Sequence, residues 1–242
     1  MILTFTDFGR DGPYLAQLRL ALRREADGIA VLDLVSDLAP FRPLEAGHLL
    51  AALCGEAPAG SVFLCVVDPG VGGPRLPVAL QADGRWYLGP DNGLLDVVAA
   101  RATAVRWWEI RWRPERLSAS FHGRDLFAPV AARLAAGQLP AAAGCVALDR
   151  PQAADGDLAV VVYIDRYGNC MTGLRASMLP ATADVRIQAR VIPHARTFSA
   201  VRPGTAFWYA NSCGLVEFAM NHGRAEQHLG LAVGSGFSVL PV

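Results

Sequence analysis

Four short stretches of the 242-residue chain gather carboxylates, an imidazole, a guanidinium and glycines in the manner of ligand-binding loops. They are Thr6-Asp7-Phe8-Gly9, Val67-Asp68-Pro69-Gly70-Val71-Gly72, Gly89-Pro90-Asp91-Asn92-Gly93 and Ser120-Phe121-His122-Gly123-Arg124-Asp125. Any one of them is also ordinary turn chemistry, because Asp, Asn, Pro and Gly favour tight turns for purely conformational reasons. Four together suggest a ligand, but no familiar signature says which. There is no GxGxxG after the first apolar run, no phosphate-binding GxxxxGKS/T, no HExxH and no GxSxG. The histidines, at positions 48, 122, 194, 222 and 228, lack metal-ligand spacing. Asp7, Asp68 and Asp125 are capable of holding a cation, yet the charge pattern does not demand one, so a metal-free site is expected.

The elements that must position these loops follow from hydrophobic periodicity. Apolar runs at Ile2 to Phe5, Ala30 to Val35 and Ser61 to Val67 read as strands. Pro13 to Ala26 and Leu44 to Cys54 read as helices, the first with a proline in its opening turn. This alternation predicts parallel βαβ units in an α/β layer, whose strand carboxyl ends are where ligands bind. Pro77 to Gln81 and Trp86 to Gly89 flank Ala82-Asp83-Gly84 and predict a hairpin; Gly93 to Arg101 and Asp125 to Ala136 predict helices. From Gly137 to Asp157 the chain turns rich in Ala, Gly and Pro, which places a boundary between a first domain, 1–150, and a second, 155–242. Beyond it, Val160 to Ile164, Val185 to Ala189, Ala206 to Tyr209, Leu215 to Ala219 and Phe237 to Leu240 predict a small antiparallel β-domain.

Composition narrows the function classes. Lys+Arg and Asp+Glu both number 22, so no electrostatic footprint for nucleic acid or an anionic membrane exists. No uncharged apolar run reaches the ~18 residues of a membrane helix; the longest candidate, His228 to Val242, is broken by glycines and a proline. The opening residues, MILTFTDFG, lack the basic start and cleavage site of a signal peptide. The five cysteines form no CxxC pair and several sit in apolar runs, so a reduced, cytoplasmic setting is expected.

In this order, TDFG, VVDPGVGGPR, GPDNGLL, FHGRDLFAP, IDRYGN and ANSCGLVEFAMN resemble the S-adenosyl-methionine hydroxide adenosyltransferase family, relatives of the fluorinases and chlorinases. The resemblance spans nearly the whole chain. It implies an N-terminal Rossmann-like α/β domain plus a small C-terminal antiparallel β-barrel. It also implies a homotrimer whose ligand lies between the first domain of one subunit and the second domain of its neighbour. The implied reaction is hydrolysis of S-adenosyl-methionine to adenosine and methionine, with no cofactor. The residues that mark the hydrolytic members fall on Asp68, Arg75 and His122, whereas halogenating relatives typically carry a tyrosine for the Asp. Asp7 falls on the acid that pairs with the ribose hydroxyls. Phe8 and Tyr167 fall on rings that sandwich adenine, Asn169 on a contact to adenosine or the amino-acid part, Ser212 and Glu217 on amino-acid and ammonium contacts, and Met220 on the adenine edge. The chain departs from the family pattern at Tyr167-Gly168-Asn169, at Thr172-Gly173, and at Cys213, where halogenating relatives have an arginine.

The implied chemistry is consistent with those residue types. Methionine leaves as a neutral thioether and needs no acid, while bulk water, with a pKa of about 15.7, is a poor nucleophile. Arg75 would stabilise hydroxide character on a bound water, and Asp68 and His122 would accept or relay its proton. Plainer roles stand beside these: a turn cap for Asp68, a surface position for Arg75, a helix cap for His122, and ordinary turn and strand positions for the residues of the second domain. Two other functions remain open at this stage, a halide-dependent adenosyl transfer and a non-catalytic sensor of S-adenosyl-methionine or adenosine.

Overall fold

The computed structural model describes residues 1–152 and 154–240. Ala153, inside the stretch read as a boundary, and residues 241–242, at the end of the second expected domain and of the His228 to Val242 run, lie outside the described residues. The chain forms two compact units, Met1–Gly47 with Glu56–Asp155, and His48–Gly55 with Gly156–Val242. Residues 48–55 thus group with the second unit, which a division at one point in the chain does not express.

The first unit is built on a seven-stranded mixed sheet. In chain order its elements are β1 (Ile2–Thr6), α1 (Pro13–Glu25), β2 (Val31–Val35), the start of α2 (Pro43–Leu53, whose residues from His48 on group with the second unit), β3 (Val62–Val66), β4 (Pro77–Ala82), β5 (Arg85–Pro90), α3 (Asp96–Arg101), β6 (Val105–Ile110), α4 (Ala128–Ala135) and β7 (Cys145–Leu148). The strand order is β2-β1-β3-β5-β4-β6-β7. Neighbours from β2 to β5 run parallel, and β4, β6 and β7 join antiparallel. Strands β1 and β3 are buried at every position, which is why β3 reads as an unbroken apolar run and β1 as a mainly apolar one, interrupted by the buried Thr4. On α1, Leu15, Leu18, Ala21 and Leu22 are buried at helical spacing. Fully burying a side chain such as Leu18 or Leu22 contributes roughly 1.5–3 kcal/mol. The β4–β5 hairpin turns through Asp83 and Gly84, both at positive φ, as the Asp-Gly pair predicts.

The Ala/Gly/Pro-rich stretch holds β7, which pairs with β6 and ends the sheet; hydrophobic periodicity marks neither strand. The helix expected from Asp125 begins earlier, as one π-helical turn over Gly123–Phe127 that runs directly into α4.

The second unit holds β8 (Leu158–Ile164), β9 (Cys170–Arg175), β10 (Val185–Ile187), β11 (Arg190–Ile192), β12 (Ala206–Ala210), β13 (Leu215–Met220), a short helix α5 (Ala225–Leu229) and β14 (Ser238–Val239). They form two small antiparallel sheets, β12-β13-β9-β8 and β11-β10-β14. Trp208, Phe218, Val216 and Val161 fill the core between them. Among the described residues no helix is long and apolar enough to cross a membrane.

Candidate active site

Asp7 follows β1 and Asp68 follows β3, the two strands between which the strand order reverses. At such a switch point the loops diverge and leave a crevice. A 100 Å³ cavity there is lined by Asp7, Phe8, Phe41, Asp68 and His122, among others. Phe8 packs edge-on against Phe121, with ring centroids 5.5 Å apart, and beside Tyr14. Phe41, which sequence reasoning missed, is 75 % exposed and sits at φ 64, a strained conformation for an aromatic residue.

Arg75 brings the marked residues together. Its Nε donates to Asp68 Oδ1 at 2.9 Å and its Nη2 to Asp68 Oδ2, a bidentate pair. The same Nη2 lies 3.0 Å from His122 Nδ1. Because a guanidinium only donates, Nδ1 is the acceptor and the imidazole proton sits on Nε2. The Asp68 and Arg75 side chains are only 4 % and 11 % exposed, which removes the surface reading of Arg75. His122 precedes the π-helical turn but its side chain makes no capping bond, so the helix-cap reading fails as well.

Two loops must meet for this geometry. Gly72, at φ 78, is where they touch: a Cβ there would lie 2.6 Å from the Ala119 carbonyl. The His122 loop is pinned in turn by Asp125, whose Oδ2 accepts from the Ser118 N–H at 2.9 Å and which also pairs with Arg124. Asp125 is therefore occupied structurally. Burial, then the Arg75 guanidinium, push His122 below the usual histidine range, against the pull of Asp68. Burial pushes Asp7 up to about 6, and the nearby Asp68 charge adds to this.

The other candidates line a separate, larger cavity of 810 Å³ within the second unit: Tyr167, Asn169, Ser212, Glu217 and Met220. Asp165, Tyr209 and Asn211 line it too, and sequence reasoning missed all three. Asp165 Oδ1 accepts from the Tyr167 and Asn169 N–H groups at 2.8 and 2.9 Å, and its Oδ2 from Asn169 Nδ2 at 2.9 Å. That ring of bonds shapes the Asp165–Asn169 turn, which closes through Gly168 at φ 83. Glu217 sits in β13, a strand otherwise apolar from Leu215 to Met220, and is 2 % exposed. Tyr209, opposite it in the β12–β13 register, donates its hydroxyl at 2.5 Å, and Asn211 Nδ2 donates at 2.8 Å. Burial raises the Glu217 pKa against both of these hydrogen bonds, and the negative Asp165 raises it further. Tyr167 and Ser212 stand exposed on the rim, Tyr167 at 74 %. Phe8 and Tyr167 belong to different units.

Family models of the SAM hydroxide adenosyltransferase N-terminal and C-terminal domains match residues 2–144 and 159–238. The chain belongs to the SAM hydroxide adenosyltransferase family. Among its relatives is an (R)-S-adenosyl-L-methionine hydrolase of Thermus thermophilus, 39 % identical over 95 % of both chains. Another, from Salinispora tropica, is 37 % identical over 97 % of this chain and 95 % of that one. A fluorinase from Actinopolyspora mzabensis is more distant, at 25 % identity over 91 % of this chain and 90 % of its own. A solved structure of a conserved protein from Thermotoga maritima superposes with a TM-score of 0.89 at 28 % identity, covering 100 % of both chains. Among the described residues no group of three or more His, Cys, Asp or Glu side chains is arranged to hold a metal ion.

Proposed function

We propose that Asp68, Arg75 and His122 activate the water with which this enzyme hydrolyses S-adenosyl-methionine to adenosine and methionine. The observation that carries the assignment of roles is the single guanidinium of Arg75 bonded to both the Asp68 carboxylate and the His122 ring. Water attacks C5′ of the substrate; the C5′–O bond forms as the C5′–S bond breaks, and the electron pair leaves with sulfur as a neutral thioether. Asp68 spends one lone pair per oxygen on Arg75 and keeps others for the water's proton, which passes on to solvent. His122, neutral with its proton on Nε2, donates to the water oxygen and orients it. Arg75 holds positive charge beside the developing hydroxide in a partly dry site, where such preorganised charge is most effective. Positioning of the water in line with the C5′–S bond supplies much of the remaining rate.

Asp7 reads the ribose diol, since a carboxylate accepts two O–H groups side by side. Phe8, Tyr167, Asn169 and Met220 hold the adenosine, and Ser212 and Glu217 the amino-acid end. The first unit is Rossmann-like and the second a small β-barrel. The enzyme is a cytoplasmic homotrimer that needs no cofactor, each site joining the first unit of one subunit to the second unit of its neighbour. The exposure of Phe41 and Tyr167, aromatic side chains beside the two cavities, supports burial by such a partner. The five cysteines are free, and burial pushes the Cys145 and Cys170 thiols up to about 11 and about 12, which keeps them protonated and unreactive.

Product analysis with and without added chloride or fluoride tests the choice of nucleophile. Adenosine and methionine in equal amounts under all conditions are expected; a 5′-halogenated adenosine would overturn it.

A further inference from the structure

The Gly89–Gly93 cluster carries two polar side chains that the chemistry above leaves unused. We propose that Asp91 and Asn92 form a clamp that positions Asp68 and Arg75 for the reaction, with Asn92 as its main positioning residue; this rests on the catalytic reading of Asp68 and Arg75.

The loop carrying both residues leaves β3 after Val66 and enters β4 at Pro77, and one turn holds both of its ends. Asn92 Nδ2 donates at 2.9 Å to the carbonyl of Val67, the residue before Asp68. The Asp91 N–H donates at 2.9 Å to the carbonyl of Leu76, the residue after Arg75. Between those two bonds, Gly72, Gly73 and Pro74 are exposed, so the sheet itself does little to locate the loop.

The clamp is itself anchored. Asn92 Oδ1 accepts from the Leu94 N–H at 3.3 Å, and its own N–H donates to the Pro90 carbonyl at 3.1 Å. The Asp91 carboxylate is gripped by Arg150, which also donates to Asp96 at 2.9 Å and lies 4.5 Å from the centre of the Trp107 ring. Val67 is fully buried, so withdrawing the Asn92 donor leaves its carbonyl without compensation from solvent. A shift at either end of the loop moves Asp68, Arg75 and, through Arg75, the contact to His122. Displacements of about 1 Å in such groups cost on the order of a hundredfold in rate.

The test uses Asn92→Asp, which matches the side chain in shape and keeps the acceptor for Leu94 but lacks the donor for Val67. At about pH 8 its kcat is expected to fall on the order of tenfold to a hundredfold, while KM and the adenosine Kd stay within about twofold of wild type. The ratio of variant to wild-type kcat then climbs as the pH is lowered, because the protonated carboxyl regains a donor for the Val67 carbonyl. Asp91→Asn, which keeps the backbone bond to Leu76 but removes the charge that Arg150 grips, lowers kcat less, again at constant KM. Arg75→Ala is assayed alongside. If Arg75→Ala turns over like wild type, the catalytic reading beneath the proposal falls, and the clamp with it. If Arg75→Ala is inactive and Asn92→Asp keeps wild-type kcat, the clamp alone is overturned. A parallel loss of kcat, adenosine affinity and Tm without recovery at low pH also overturns it, by making Asn92 a folding residue only.

Discussion

Asp68 in the first unit and Glu217 in the second are both buried carboxylates lining cavities, yet their surroundings differ in sign. Asp68 accepts two hydrogen bonds from Arg75, so its charge is balanced within the protein. Among the described residues Glu217 is hydrogen-bonded by the neutral Tyr209 and Asn211, and the charge acting on it is the further negative one of Asp165. Burying a carboxylate without a counter-charge is costly unless something else compensates. The Asp68–Arg75 pair of the first cavity is thus balanced before any ligand arrives and suits work on an uncharged nucleophile. Glu217 of the second cavity is not, and suits a ligand that brings its own positive charge. S-adenosyl-methionine carries two such charges, a sulfonium and an ammonium.

Disturbing the balanced pair should have the largest effect. Arg75→Ala is expected to lower kcat about 10²- to 10³-fold, as loss of a preorganised donor does, with little change in adenosine affinity. Because it leaves Asp68 buried and unpaired, Arg75→Lys is the companion variant: it keeps the charge but loses the two-pronged geometry. It should also turn over slowly, while unfolding near the wild-type temperature.

Removing the unbalanced charge should act on binding instead. Glu217→Gln is expected to raise KM for S-adenosyl-methionine about tenfold to a hundredfold, the value of a hydrogen bond to a charged group. Adenosine, which has no cation, should bind as before. Equal weakening of both ligands would end the contrast between the cavities.

The smallest effect comes from pH at Asp7. With its pKa pushed up to about 6, chiefly by burial, the carboxylate protonates within the range in which the enzyme can be assayed. KM should therefore rise as pH falls through about 6, and Asp7→Asn should flatten that dependence. Stability has the opposite sense. A carboxyl raised on folding contributes stability that is fully present below its unfolded value of about 3.8 and lost as pH rises through about 6. The Asn variant should thus gain Tm over wild type above about pH 6, and show no such gain below about pH 4.

What the sequence reveals of this molecule depends on how local the physics is. β3 is legible because both faces are covered and every residue is apolar, and β1 because Ile2, Leu3 and Phe5 dominate a strand whose threonines are buried with them. The Asp83-Gly84 hairpin is legible because two adjacent residues must take positive φ. β7 is not, because four residues at a sheet edge, two of them exposed, carry no alternation that distinguishes them from a loop. The candidate residues are likewise legible only through ordered motifs. Tyr209 acts through its register opposite Glu217, Asn211 through a turn that folds back on the same strand, and Asp165 through backbone donors. None of these relations is a spacing along the chain. Glu217 does leave one local trace, an acid within a strand that is otherwise apolar.

The central claim is that water, and no other nucleophile, attacks C5′ of S-adenosyl-methionine. The most direct test is turnover of the purified enzyme in ¹⁸O-labelled water, with mass spectrometry of both products. One ¹⁸O at the 5′ oxygen of adenosine, and none in methionine, is the predicted result. Adenosine without the label, or no adenosine at all, would contradict it.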